Sequence, residues 1–139
     1  MSFLPNVKAV AATFAKRIGI ADAIIVVTPE YNHGYPGGLK VAIDTVRDEW
    51  RAKPVGFVCY GGTSGGLRAV EQLRAVFAEL QTATVRNTVS LHHAYDLFAD
   101  NGDLQEPERA DAAAHALLNQ IGWWARALRH GRAVEPFPG

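Results

Sequence analysis

The sequence predicts an α/β protein arranged as a three-layer sandwich, with a parallel sheet of about three strands between helices. Three observations carry the prediction. Apolar runs of strand length alternate with segments of helical periodicity, the first two runs are apolar on both faces, and each of those runs ends in a loop of turn residues. At 139 residues the chain suits one domain, read as residues 1–139.

Taken in order, Val7, Val10, Phe14 and Ile18 recur at steps of three and four, the signature of one helical face. Ile24-Ile25-Val26-Val27 follows, four β-branched residues in a row that suit a strand covered on both sides. After Pro29, residues 32–38 carry three glycines and a proline and read as a loop. Helical spacing resumes at Leu39, Ile43, Val46 and Trp50, with Lys53-Pro54 expected to break that helix. Val55 to Tyr60 is a second buried strand, and the glycines of residues 61–66 form a turn. Leu67, Val70, Leu73, Phe77 and Leu80 then mark a helix.

The third strand, 84–91, differs in kind. Val85, Asn87, Val89 and Leu91 share one face, and Thr84, Arg86, Thr88 and Ser90 the other, a period-two pattern that suits a sheet edge. Residues 92–106 are a polar loop with a turn at Asn101-Gly102-Asp103. Pro107 opens the last helix, whose stripe is Ala110, Ala114, Leu117, Ile121, Trp124 and Leu128, and Gly131 is expected to end it. Right-handed crossovers place the two connecting helices on one face of the sheet, leaving the last helix to cover the other.

Composition excludes several classes of function. Fourteen basic residues balance fourteen acidic ones without clustering, which argues against a nucleic-acid or anionic-membrane footprint. A single cysteine, Cys59, sits in an apolar strand and reads as a buried thiol in a reducing compartment. No secretory signal and no run long enough to span a membrane is visible, so a cytoplasmic protein is expected.

Ligands of open α/β sheets bind beyond the carboxyl ends of the strands. Two loops occupy that rim: residues 28–33, Thr-Pro-Glu-Tyr-Asn-His, and residues 60–66, Tyr-Gly-Gly-Thr-Ser-Gly-Gly. The second meets a helix N-terminus, where free N–H groups and the dipole suit a phosphate, carboxylate or polarised carbonyl, although a plain tight turn explains it equally well. It matches neither the Walker A pattern nor the dinucleotide fingerprint.

Together these segments resemble the flavodoxin-like NAD(P)H-dependent FMN reductases, a family with azo-, quinone- and chromate-reducing members. The similarity runs in order through Ala21-Asp22-Ala23, Thr28-Pro29-Glu30-Tyr31-Asn32, Pro36-Gly37-Gly38-Leu39-Lys40, Asp44, Lys53-Pro54-Val55, Tyr60-Gly61-Gly62, Gly65-Gly66-Leu67-Arg68 and Gln72-Leu73-Arg74. It implies FMN and NADPH as cofactors, with Pro29, Glu30, Tyr31, Asn32, Gly61, Gly62, Thr63, Gly65 and Gly66 at the flavin ring. It implies no dedicated catalytic side chain and no metal, since the flavin performs hydride transfer to a flavin, quinone or similar acceptor.

Family members also carry an N-terminal strand and a Gly-Ser-x-Arg-type loop that grips the FMN phosphate. The chain has no counterpart, with no glycine before Gly19. The resemblance therefore implies an N-terminally truncated flavodoxin-like domain and weakened FMN binding, at about 1.5–3 kcal/mol per charge-assisted hydrogen bond lost. The unpaired edge of strand 24–27 would favour completion by another subunit, a homodimer above all, over a separately encoded partner or a fragment. A non-catalytic oligomerising module that has lost FMN, and a small-molecule enzyme that reuses the rim loops without flavin, are the competing readings. Trp123-Trp124 suits either an interface or core packing, His92-His93 is a poor metal pair, and Glu71 with Arg74 reads as an exposed helical ion pair.

Overall fold

A computed structural model describes residues 4–138, with side chains from residue 8 onward; Val7 of the first predicted stripe lies outside the described side chains. The elements alternate as α1 (Leu4–Ile20), β1 (Ile24–Pro29), α2 (Gly37–Asp44), β2 (Pro54–Tyr60), α3 (Leu67–Glu79), β3 (Ala83–Leu91) and α4 (Pro107–Val134), with short 3₁₀ turns at Asp48–Trp50 and Ala94–Asp96. The strands form one parallel sheet in the order β1-β2-β3. No helix among the described residues is long and apolar enough to cross a membrane.

Two apolar clusters lie on opposite faces of the sheet, giving the expected layers. On one face α1, α2 and α3 deliver Ile18, Ile43, Val70, Leu73 and Phe77 against Val26, Val55 and Phe57 of the strands. On the other, Leu117 and Ile121 of α4 pack on Val85 and Val89. Gly56 permits that approach, since a Cβ there would stand 2.8 Å from Leu117 Cδ1 and 3.2 Å from Ile121 Cδ1.

The second helix is shorter than its periodicity predicts. It ends at Asp44 rather than at Lys53-Pro54. Thr45 Oγ1 bonds back to the Val41 carbonyl at 2.7 Å, and the Trp50 indole N–H reaches the carbonyls of Ile43 and Val46, both at 3.1 Å. The Trp50 indole thus takes two carbonyls that a continued helix would have used. Val46 and Trp50 still reach the core, which is why their spacing looked helical. Lys53, buried, donates to the carbonyls of Ile18 and Gly19 (2.7 Å to Gly19), closing the C-terminal end of α1.

The last helix is longer than predicted, running past Gly131 to Val134. Arg132 donates to Asp22 at 3.1 Å and to the Ala52 carbonyl, which anchors the final turn to the base of the sheet and keeps Gly131 helical. Of the predicted stripe on α4, only Leu117 and Ile121 are buried, and the Trp123 and Trp124 rings stand edge to face, 5.3 Å apart, on the exposed side.

The two sheet edges are finished differently. On β3 the register shifts between Val55 and Phe57 of its neighbour. The groups this frees are taken by Arg74, which donates to Val85 O at 2.8 Å and Arg86 O at 3.3 Å, and by Gln120, which accepts from the Asn87 N–H at 2.7 Å. Arg74 also lies over the Phe57 ring, so it is more than half of a surface pair with Glu71. On β1, among the described residues, the outer edge has no strand partner. Ile25 and Val27 pair with Gly56 and Val58 and so share the face of α4, yet they are 40% and 64% exposed.

Candidate functional site

The two predicted loops leave the carboxyl ends of neighbouring strands and meet. β1 and β2 stay in register to the end, Pro29 opposite Tyr60, and the Glu30 N–H donates to the Tyr60 carbonyl at 2.9 Å. The chain then turns back: Tyr31 and Gly34 exchange backbone hydrogen bonds at 2.8 and 3.0 Å, with Asn32 (φ 50°) and His33 (φ 69°) both left-handed between them. Asparagine and histidine are among the non-glycine residues that tolerate this conformation best. The Tyr31 ring is 62% exposed above the turn.

Glu30 does not face outward. Its side chain is 6% exposed and accepts from Ser64 Oγ at 2.6 Å, Arg68 Nε at 2.8 Å and the Arg68 backbone N–H at 3.1 Å. Burial alone would raise its carboxyl pKa. The Ser64 hydrogen bond, the Arg68 charge and the backbone amides of Ala69 and Arg68 outweigh that and hold it below the ordinary carboxylate range. The N-terminus of α3, expected to be free for a ligand anion, is therefore capped by a carboxylate of the chain itself. Further along, Gln72 donates to the His33 carbonyl at 2.8 Å, and Arg68 also contacts the His33 ring. The first loop is clamped to the second.

From the other side β3 holds the glycine loop. The Gly61 N–H donates to Leu91 O at 3.2 Å, while the N–H groups of His93 and Ala94 donate to Gly62 O and Gly61 O at 2.9 and 3.0 Å. Gly65 (φ +60°) and Gly66 (φ +88°) are buried; a Cβ at Gly66 would stand 2.6 Å from Cys59 Cβ, and one at Gly65 2.4 Å from Ser90 Oγ. At these two positions the loop packs closely against Cys59, Ser90 and His92.

What remains outward is backbone. Among the described residues no protein acceptor meets the N–H groups of Asn32, His33, Gly62, Thr63 or Ser64. Gly62 and Thr63 are exposed, and nothing lies within 4 Å of where a Gly62 Cβ would be. Gly61 is tighter, its Cβ position 3.3 Å from Gly66 N and 3.4 Å from Glu30 Cβ. The arrangement is two adjacent amide edges, flanked by Tyr31, over an open approach at Gly62. That fits the carbonyl and ring-nitrogen edge of a flat heterocycle. Arg68 is the one Lys or Arg on the two rim loops and the first turn of α3, and it is committed to Glu30, so these segments offer no uncommitted Lys or Arg for a phosphate.

Ser64, Arg68, Ser90 and His92 complete the site through contacts that the sequence pattern does not assign to them. Only a Glu one residue past a strand end, with Ser and Arg at the start of the next helix, hinted at the Glu30 clamp.

Comparison with known proteins agrees with the geometry. The family described as NADPH-dependent FMN reductase matches residues 4–96. An NAD(P)H-dependent FMN reductase of Saccharomyces cerevisiae is 42% identical over 69 residues, covering 50% of this chain and 36% of that protein. An NADH-dependent flavin reductase subunit 2 of Lactobacillus johnsonii is 35% identical over 128 residues, covering 84% of this chain and 70% of its own. The chain spans between 36% and 40% of the length of the first three curated relatives it matches. Among solved structures, the flavoenzyme NAD(P)H:(acceptor) oxidoreductase of Paracoccus denitrificans superposes with a TM-score of 0.66 at 22% identity, covering 84% of this chain and 68% of that one. The fold is thus flavodoxin-like, with a sheet that is not closed. On the family match and the two rim loops together, the chain belongs to the NADPH-dependent FMN reductase family.

Proposed function

We propose that the chain is a flavin-dependent oxidoreductase unit that binds FMN at the two rim loops and uses NADPH or NADH to reduce flavins, quinones or similar acceptors. The observation that carries the reading is the pair of adjacent loops with unpartnered amides at Asn32, His33 and Gly62 to Ser64, beside the open Gly62 position. When bound, the flavin supplies the hydride chemistry. The chain's own part is placement and polarity: outward N–H groups stabilise negative charge on the carbonyl edge of the ring, Tyr31 flanks it, and Glu30 keeps the loops from separating. No side chain is assigned as a general acid or base.

The open β1 edge, with Ile25 and Val27 exposed, supports association with another subunit, and we favour a second copy of the chain. A clean monomer by light scattering at micromolar concentration would refute that part. A single buried cysteine suits action in the cytoplasm. The second reading, an oligomerising module without flavin, draws on one observation: Arg68, the one Lys or Arg at the two loops and the start of α3, is engaged by Glu30.

The test is FMN titration followed by flavin fluorescence, on the natural chain and on Gly62→Val. Because nothing occupies the space beside Gly62, the substitution should leave the melting temperature unchanged while lowering FMN affinity at least about a hundredfold, through steric exclusion of the ring. Equal affinity in the two proteins rejects this placement of the ring; no binding by either favours the second reading.

A further inference from the structure

The turn after β3 contains a side-chain chain that the proposed reaction does not explain. His92 Nδ1 lies 2.8 Å from the Thr63 carbonyl. Ser90 Oγ lies 2.9 Å from the Gly65 carbonyl and 3.2 Å from His92 Nε2. A carbonyl only accepts, so Nδ1 must carry a proton to bond Thr63, and the Ser90 hydroxyl must spend its single proton on Gly65. Both carbonyl bonds are therefore made by a ring with its proton on Nδ1 together with the Ser90 hydroxyl.

The bonds to Thr63 and Gly65 each hold a loop carbonyl toward the end of β3. In a peptide unit the carbonyl and the N–H of the next residue point in opposite directions. Fixing the Thr63 carbonyl toward His92 therefore directs the Ser64 N–H outward, and fixing the Gly62 carbonyl toward the His93 N–H does the same for Thr63. Gly65 allows Ser90 and His92 to come this close, since any Cβ there would collide with both.

Resting on the flavin-site reading above, we infer that His92 is a positioning residue whose Nδ1–H, with the Ser90 hydroxyl, holds the carbonyls of Thr63 and Gly65 toward β3 and so turns the Ser64 amide to the cofactor. Without the ring the Thr63 carbonyl loses its partner, the loop is less ordered and FMN binding weakens. Loss of about one hydrogen bond corresponds to a fall of roughly five- to tenfold in affinity.

The experiment combines amide NMR of the whole chain with FMN titration at one neutral pH, on the natural chain, His92→Phe, His92→Asn and Ser90→Ala. The amide signals of Ser64 to Gly66 should shift in His92→Phe and return toward their natural positions in His92→Asn, which keeps a donor for Thr63, while Ser90→Ala should act chiefly on Gly66. FMN affinity should drop roughly five- to tenfold in His92→Phe and be less reduced in His92→Asn. No rescue of the Ser64 to Gly66 signals by His92→Asn, or signals unmoved in His92→Phe, overturns the inference, whether or not FMN binds. Failure of the natural chain to bind FMN, with the loop signals displaced in His92→Phe and restored in His92→Asn, rejects the flavin reading and leaves the positioning role supported.

Discussion

Replacing Glu30 with glutamine probes the clamp on which the site depends. The amide keeps the shape and one acceptor oxygen but presents an NH2 where Arg68 Nε, a donor 2.8 Å away, now points. Hydrogen bonds to charged groups are worth about 1.5–3 kcal/mol each, and Arg68, 44% exposed, reduces the share of its ion pair through solvent screening. Adding roughly 0.3–1 kcal/mol for the lost carboxylate at the start of α3 gives about 2–3 kcal/mol in total. Urea unfolding followed by circular dichroism measures this directly, and melting should fall by roughly 7–10 °C. The sign of the pH dependence follows from the lowered carboxyl pKa. A group depressed on folding stabilises fully above its unfolded value, near 4.3 for glutamate, and that stability is lost as pH falls through the folded value. The difference between natural chain and variant should thus be constant from pH 6 to 7 and shrink below about pH 4.5. A variant within about 0.5 kcal/mol of the natural chain at pH 7 refutes the clamp.

Three further outcomes follow from the packing. Gly66→Ala forces a left-handed alanine whose Cβ lies 2.6 Å from Cys59 Cβ, and should destabilise by about 3 kcal/mol or more in the same unfolding assay. Gly56→Ala drives a methyl into Leu117 and Ile121 of α4 and should lower stability by about 1–3 kcal/mol while leaving the opposite sheet face intact. Cys59, whose thiol burial pushes up to about 11, should resist a thiol reagent in the native chain at neutral pH and react once denaturant is added.

Much of the frame was legible in the sequence because strand and helix periods report local burial. The runs at 24–27 and 55–60 became neighbouring parallel strands, the alternation at 84–91 became the β3 edge, and Pro107 opened α4. The misreadings share a cause. The Trp50 indole N–H turns onto the backbone carbonyls of Ile43 and Val46, and Arg132 reaches Asp22 far back in the chain, and a period of apolar side chains reports neither contact. The same applies to the site. The two loops could be placed side by side from topology, but the inward turn of Glu30 depends on Ser64 and Arg68, 34 and 38 residues further on. Glycine content marked residues 61–66 as special without separating Gly62, which is open, from Gly65 and Gly66, which are packed. Side-chain surroundings made that division.

The central claim is that the outward amides of the two rim loops receive the edge of a flavin ring. Mapping amide NMR shifts of the natural chain during FMN addition tests it most directly. The largest changes should fall on Asn32, His33, Gly62, Thr63 and Ser64, with little movement at the base of the sheet around Asp22 and Arg132. Saturable binding with its largest shifts elsewhere, or no shift at these five amides at any FMN concentration, contradicts the account.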